Sequence, residues 1–153
     1  MHLEGTVRYE TATALGAARG LPPPPEYRYS SLDGFMKVYL PLRHYVVTGE
    51  DFERVILEHG ETMSRQRITY AEVSFNPSLH SGGGWLDGIA RGRRRASDEL
   101  GVEIAWLVEL VRGADAGMNE RSLEIALSTE GVVGLGLVGD EAISAAPLIA
   151  LSS

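Results

Sequence analysis

The segment Ile68-Thr69-Tyr70-Ala71-Glu72-Val73-Ser74-Phe75 decides the fold of this 153-residue chain, because it is the clearest strand in the sequence. β-branched and aromatic residues are abundant in it, as they are in strands generally. Ala71, Val73 and Phe75 alternate with more polar neighbours, which is the two-residue period of a pleated strand. Asn76-Pro77 follows at once and ends the strand.

Two later apolar segments predict further strands, from Val102 to Val111 and from Val132 to Val138. Helical patterns lie in the gaps, over Trp85 to Leu100 and from a cap at Asn119 to about Ser128. The strand centres are separated by roughly 30 residues, which is the spacing of βαβ units. Strands that are apolar on both faces are typical of a parallel sheet covered by helices. The sequence therefore predicts an α/β fold.

Three helices are predicted before the first of these strands. The first spans Val7 to Arg19, and a proline-rich connector follows it. The second begins after Ser30-Ser31 and ends or bends at Pro41, and the third follows Thr48-Gly49-Glu50-Asp51, which has the form of a capping box. The residues of the second helix that share one face are Leu32, Phe35, Met36 and Tyr39.

Composition limits the classes of function. The formal net charge is -7 and the pI is about 5.1, which argues against nucleic acid or an anionic membrane as a partner. No apolar run approaches the roughly 18 residues of a membrane span, and no signal-peptide pattern begins the chain. The chain has no cysteine, so any metal must be held by nitrogen and oxygen ligands. The same absence fits a cytoplasmic location.

The residues that carry chemistry lie at the two ends of the chain. Met1-His2-Leu3-Glu4-Gly5-Thr6 places an imidazole and a carboxylate two residues apart in an apolar setting, as at the end of a barrel strand that enters an active site. Gly136-Leu137-Val138-Gly139-Asp140-Glu141 follows the last predicted strand. Either stretch alone is weak, since most single histidines bind no metal and Gly139 alone would indicate a plain turn.

Together with the segments between them, these stretches resemble the adenosine deaminase family of metal-dependent hydrolases. The resemblance extends from Met1 to about Ala142, and residues 143–153 diverge from it. It implies the N-terminal half of a (β/α)8 TIM barrel, comprising about the first four βα units and an inserted lid helix. A complete barrel needs roughly 250 residues. The motifs that carry the resemblance are His2–Thr6, Ser31–Tyr39, Tyr70–Pro77, Leu110–Asp115 and Gly139–Glu141.

The resemblance implies hydrolytic deamination of adenosine or a related 6-aminopurine nucleoside by the complete enzyme, with Zn²⁺ as cofactor. It implies that His2 is a metal ligand, that Glu4 hydrogen-bonds a ribose hydroxyl, and that the Gly139 backbone approaches the purine. The lid residues that it places against ribose and purine are Phe35, Met36 and Tyr39. The family's first strand carries a His-x-His pair, of which His2 is the second histidine and the first is absent here. No catalytic residue is assigned in this chain, because the other metal ligands and the proton donor belong to the family's second half.

Three positions depart from the family's pattern. Ser74 stands where arginine is usual, which is expected to loosen the local packing, and Gly136 stands where aspartate is usual. Val138 replaces a usual alanine. Both changes at the later strand weaken the expectation that the pocket wall there is intact.

Other interpretations of the sequence remain open. The chain as written is expected to lack deaminase activity on its own. A half-barrel has two open strand edges, so a non-catalytic binding or self-assembling module, closed as a homodimer, is the alternative function. Poor folding of an incomplete barrel is a third interpretation. His59 is expected to be a packed or half-exposed histidine rather than a metal ligand. A solvated basic face is expected to comprise Arg91, Arg93, Arg94 and Arg95.

Overall fold

The computed structural model describes residues 1–82 and 84–144, and most of the divergent end expected at 143–153 lies outside these residues. A parallel three-stranded sheet forms the centre of the fold, in the order β1-β2-β3. The strands are β1 (Tyr70–Phe75), β2 (Glu103–Val111) and β3 (Val132–Val138). All three predicted strands are confirmed: β1 starts two residues and β2 one residue later than predicted, and β3 has the predicted bounds.

Five α-helices accompany the sheet in the described residues. They are α1 (Tyr9–Ala17), α2 (Leu32–Tyr39), α3 (Gly49–Arg65), α4 (Trp85–Leu100) and α5 (Ala116–Ser128). Short 3₁₀ helices occur at Leu3–Thr6, Leu40–His44 and Pro77–Leu79. The predicted capping box is confirmed, since the Thr48 hydroxyl accepts from the Asp51 amide and the Asp51 carboxylate accepts from the Thr48 amide. No helix in this part of the chain is both long and apolar enough to cross a membrane.

The first residues of the chain extend the sheet beyond β1. His2 forms a parallel bridge with Ser74, and the Ser74 amide donates to the Met1 carbonyl oxygen over 2.7 Å. The chain then turns directly into the 3₁₀ helix Leu3–Thr6. Met1-His2 therefore occupies the place of an earlier parallel strand, as the sequence predicts.

The two faces of the sheet have different chemistry. Ile104, Trp106 and Val108 of β2 are fully buried on the face that the helices cover. The opposite face contains Leu107 and Glu109, because successive side chains of a strand point to opposite sides. In a closed barrel this second face is the interior, so it is the face on which a ligand site is built.

The prediction about the start of α5 is wrong. Asp115, not Asn119, caps α5, since its carboxylate accepts from the Met118 amide over 3.0 Å. Asn119 is instead buried, and its side-chain amide pairs with both the N–H and the carbonyl of Val111. The choice of cap follows from this tie, because one side chain cannot serve the helix start and the end of β2 together.

The arginines of α4 are partly or fully exposed, as expected, but several of them also pair with groups on neighbouring elements. Nε of Arg91 donates to Glu53 over 2.7 Å, and Arg95 pairs with both Glu53 and Glu99. Nε of Arg93 donates to the Ile104 carbonyl over 2.8 Å. These arginines therefore connect α4 to α3 and to β2. The helical pattern predicts Leu32 on the shared apolar face of α2. In the structure Leu32 lies at the start of that helix and is 76% exposed.

Close contact between α3 and α4 depends on facing glycines. Gly88 of α4 packs directly on the backbone of Gly49 at the start of α3, and a Cβ on Gly88 would overlap the Gly49 carbonyl oxygen. Gly92 of α4 lies against Ile56, with only 2.9 Å between a built Cβ and the Ile56 Cβ. Larger residues at these positions would force the two helices apart.

Substitution of Gly88 by alanine is expected to lower the free energy of unfolding by about 1–3 kcal/mol, because the backbone of Gly49 cannot move away from the new methyl group without separating the helices. The matched control is Gly117→Ala in α5, where a built Cβ meets only the Asp115 carboxylate at 3.4 Å. Urea unfolding of both variants measures the difference. Equal stability of the two variants would contradict the close helix contact.

Candidate functional site

The candidate site is built around the Glu4 carboxylate, which is buried at the end of the first segment of the sheet. Oε1 accepts from the Asn76 amide over 3.2 Å and lies 2.8 Å from Nε2 of His80. Oε2 accepts from the Tyr39 hydroxyl over 3.3 Å. Since an ionised carboxylate only accepts, Nε2 of His80 carries the hydrogen of that contact. Glu4 thus joins the first segment, α2 and the loop after β1.

His80 is a site residue that sequence reasoning missed. Its side chain is 4% exposed, and its ring is surrounded by the rings of Phe52 at 4.8 Å and Trp85 at 5.2 Å. The signal was present, because His80 lies three residues after Pro77 in the loop that follows a barrel strand, where barrel enzymes place functional side chains. The sequence predicts the loop that contains His80, but it does not indicate that Glu4 is the partner of the imidazole.

His2 lies beside a second buried carboxylate, that of Glu109 in β2. Its Nδ1 atom is 3.0 Å from Oε1 of Glu109, within ion-pair distance, although the direction of the N–H is not that of a hydrogen bond. The contact with Glu109 raises the pKa of His2 above its ordinary value, and burial opposes the rise. Glu109 is 3% exposed and was not predicted as a site residue.

The aromatic residues of α2 lie beside the first segment of the sheet. The Phe35 and Tyr39 rings stack with centroids 5.2 Å apart, and the His2 ring meets Tyr39 edge-on at 6.0 Å. Burial, together with the negative charge of Glu4, holds the pKa of the Tyr39 hydroxyl well above its usual range. Tyr39 therefore remains a neutral phenol that donates to Glu4. Met36 is half-buried on the same helix.

Gly139 is not brought to this cluster. It follows β3 at the opposite edge of the sheet, about 14 Å from the first segment if each strand step is about 4.8 Å. Its φ of +106° is one that glycine adopts freely, and a built Cβ would lie 3.3 Å from the Arg112 backbone nitrogen. The structure thus brings together His2, Glu4, Phe35 and Tyr39 and leaves Gly139 on the far wall.

Ser74 and Gly136, two of the positions that depart from the family pattern, lie on the same face of the sheet as Glu109. Ser74 is 8% exposed, and both its amide and its hydroxyl donate to the Met1 carbonyl oxygen. Ser74 thus ties β1 to the first residues of the chain. Gly136 is level with Glu109 in the sheet, and a Cβ there would lie 3.3 Å from Cγ of Glu109.

The donor atoms present fit one ligand of a metal site rather than a whole one. Nδ1 of His2 is buried against Glu109, and Nε2 has no partner among the described residues, so Nε2 is the nitrogen open to a metal. No group of three or more histidine, aspartate or glutamate side chains in the described ranges is arranged to hold an ion. The other ligands of such a site must come from outside these residues.

The pKa values of His2 and His59 are expected to differ from the ordinary histidine value in opposite directions. The pKa of His2 is raised by Glu109, so its protonation stabilises the fold below about pH 6.5 and this contribution is lost as the pH rises through the folded pKa. The pKa of His59 is lowered by burial and by the nearby N-terminus and Arg8, so it opposes folding as the pH falls. An NMR titration, with His2→Gln and His59→Gln variants for assignment, measures both. A His2 pKa below that of His59 would contradict this electrostatic picture.

Comparison with known proteins places the chain in a family. The family model described as Adenosine deaminase matches residues 1–151. An aminodeoxyfutalosine deaminase from Acidothermus cellulolyticus is 31% identical over 156 residues, which cover 92% of this chain and 44% of the relative. This chain therefore spans less than half the length of that relative.

Solved structures share the fold. The adenine deaminase of Arthrobacter aurescens superposes with a TM-score of 0.80 at 20% identity, over 93% of this chain and 48% of that one. An amidohydrolase from Burkholderia ambifaria with bound Zn gives a TM-score of 0.77 at 24% identity, over 92% and 43%. The parallel sheet and its helices are thus a partial (β/α)8 barrel, as expected. Because the family match covers almost every residue, the chain belongs to the adenosine deaminase family.

Proposed function

We propose that this chain forms the N-terminal half of the active site of a metal-dependent hydrolase that deaminates adenosine or a related 6-aminopurine nucleoside. One observation carries the proposal: His2, Glu4 and Tyr39 meet within hydrogen-bond or ring-contact distance where the first segment of the sheet ends. Active sites of β/α barrels lie at this end of the strands. The relatives are about twice as long, so the complete activity needs the second half of the barrel.

His2 is proposed as a metal ligand through Nε2. A zinc ion bound there would lower the pKa of its water toward 7 and so supply hydroxide near neutral pH. The chain contributes the orientation of the ligand, because the Glu109 carboxylate lies 3.0 Å from Nδ1 and Nε2 has no partner among the described residues. The neighbour from Burkholderia ambifaria with bound Zn supports a metal of this kind.

Glu4 is proposed to accept one hydrogen bond from the sugar of the substrate. A carboxylate has about four acceptor positions. Asn76, His80 and Tyr39 occupy three of them, which leaves about one for a ribose hydroxyl. The protein bonds also fix the direction of the fourth position, so a substrate would meet a carboxylate that is already oriented.

The remaining wall is proposed to be apolar. Phe35, Met36 and Tyr39 would cover the ribose and purine from α2, and the Gly139 backbone would approach the base from the far edge. The stacked rings of Phe35 and Tyr39 give a flat surface suited to an aromatic base.

A cytoplasmic location is proposed for the protein, since it fits the absence of cysteine.

A chimera tests the proposed function. This chain replaces the aligned N-terminal part of the Acidothermus cellulolyticus aminodeoxyfutalosine deaminase, with that enzyme's own residues kept before Met1. The chimera is expected to release ammonia from a 6-aminopurine nucleoside. His2→Ala is expected to lower kcat by about 10³-fold or more, because loss of a ligand removes several kcal/mol of metal-derived stabilisation.

The control for this experiment is Glu120→Ala on the exposed side of α5, which is expected to leave kcat unchanged. Zinc content and thermal unfolding of each chimera show whether the protein is folded and loaded. A folded, zinc-loaded chimera with full activity after His2→Ala would refute the role of His2. This chain alone, supplied with Zn²⁺, is expected to show no turnover.

A second candidate function is self-assembly of the half-barrel, and it rests on the open edge at β3. Val133, Leu135 and Leu137 are 60%, 44% and 39% exposed. Leu135 and Leu137 pair with Val108 and Leu110, so they lie on the side of the sheet that helices cover elsewhere. A second copy, turned about the barrel axis, would place its Met1-His2 segment beside β3 and close an eight-stranded barrel.

The homodimer is tested by light scattering during size-exclusion chromatography. The expected mass is twice the 16.6 kDa of the chain. Leu135→Lys at the edge is expected to give monomer, since a charge would be buried in the new strand pair. The matched control is Leu127→Lys on α5, where the side chain is 82% exposed. A folded wild-type monomer, or equal behaviour of the two variants, would exclude this assembly.

A further inference from the structure

We propose that Glu109 is a positioning residue for His2: its carboxylate selects the tautomer with hydrogen on Nδ1 and so presents the bare Nε2 atom to a metal. The inference rests on the proposed role of His2 as a ligand. It concerns a residue on β2 that no motif in the sequence indicates. The geometry that carries it is the 3.0 Å contact between Nδ1 of His2 and Oε1 of Glu109.

Glu109 lacks any other described partner for its charge. It is 3% exposed in a strand that is otherwise almost entirely apolar, and its close contact is His2. Burial of an ionised carboxylate without a partner is very costly, so the position calls for a donor. Nδ1 of His2 is itself shielded from water and has no hydrogen-bond partner in the described part of the chain. The two buried groups therefore lie within ion-pair distance of each other, and Glu109 is the acceptor placed beside Nδ1.

The sheet makes room for this contact by means of small residues. His2 bridges Ser74, and Ser74 pairs in turn with Leu107, so His2 and Glu109 lie on the same face with β1 between them. Ser74 is short enough for the imidazole and the carboxylate to meet across it. Gly136, level with Glu109 on the other side, leaves the space into which Cγ of Glu109 fits.

The chemical consequence follows from the two ring nitrogens. A neutral imidazole has one N–H and one bare nitrogen, and only the bare nitrogen binds metal. A carboxylate beside Nδ1 favours hydrogen there and leaves the lone pair on Nε2, as in the carboxylate–histidine–metal arrangement. The alternative is that Glu109 and His2 merely hold the sheet together, and that alternative predicts no effect of Glu109 on the affinity of His2 for Zn²⁺.

The test is ¹⁵N NMR of the imidazole nitrogens in the full chain, at a pH where His2 is neutral, with His2→Gln to assign the signals. The wild-type chain is expected to show His2 as the Nδ1–H form. Glu109→Ala is expected to shift it to the Nε2–H form, which free imidazole side chains prefer. Glu109→Gln is expected to restore the Nδ1–H form, because the amide oxygen still accepts.

Gly136→Ala is a second variant, and it removes no polar group. Its methyl group would press on Cγ of Glu109 from 3.3 Å, so the population of the Nδ1–H form is expected to fall while the fold is retained. Glu120→Ala, far from the sheet interior, is the control. If Glu109→Ala and Gly136→Ala both leave His2 as the Nδ1–H form, the positioning role is overturned.

A titration with Zn²⁺ alone, followed through the same signals, adds a second measurement. Zn²⁺ is expected to perturb Nε2 of His2 in the wild-type chain, with roughly 10–100-fold weaker binding in Glu109→Ala. Unchanged affinity in that variant would count against positioning. The result is separable from the proposed function, because the tautomer is measured without turnover: an inactive chimera with a normal tautomer switch refutes deamination alone.

Discussion

A buried carboxylate that must be satisfied by protein donors is the constraint on which the rest of the structure depends. Glu4 is 5% exposed, and its hydrogen-bond partners lie 35, 72 and 76 residues away in the chain. Leaving such a group without donors costs more than most single interactions contribute. The lid helix, the end of β1 and the following loop are therefore held in one arrangement by the same side chain, and the candidate site forms only when the fold does.

Two carboxylates, Glu4 and Glu109, make the inner face of the sheet electronegative. The contact with Glu109, together with the negative charge of Glu4, raises the pKa of His2. A proton and a metal ion would compete for the same imidazole, since a ligand histidine must be neutral. The phenol of Tyr39 stays protonated because burial, and then the negative charge beside it, raise its pKa. The site is thus electrostatically prepared for a cation.

The two faces of the sheet are packed by different kinds of side chain. The helix-covered face is filled by large apolar side chains such as Trp106, and helices α3 and α4 approach each other closely enough to need glycines at Gly49 and Gly88. The inner face instead alternates charge with very small residues, notably Ser74 and Gly136. Small residues there are not defects of packing, because they leave space for the long side chains that build the site.

The sequence by itself determined the local structure of this protein and its family. Alternation over Tyr70–Phe75, the apolar runs of the later strands and the capping box at Thr48 are interactions among near neighbours, so a short window contains their whole cause. The predicted helix over the lid segment forms, with Tyr39 against the His2 ring and Phe35 stacked on Tyr39, and its role as a lid stays a prediction. The prediction that Leu32 is buried is wrong, because helical spacing alone does not show which turns of a helix pack against another element.

Only the tertiary structure decided which polar side chains belong to the site and which to the framework. His80 and Glu109 join Glu4 and His2 across 76 and 107 residues of chain. Asn119 ties β2 instead of capping α5, and the arginines of α4 pair with carboxylates on other elements. A polar side chain has no fixed partner in the sequence, because its partner is whichever group the fold brings within about 3 Å.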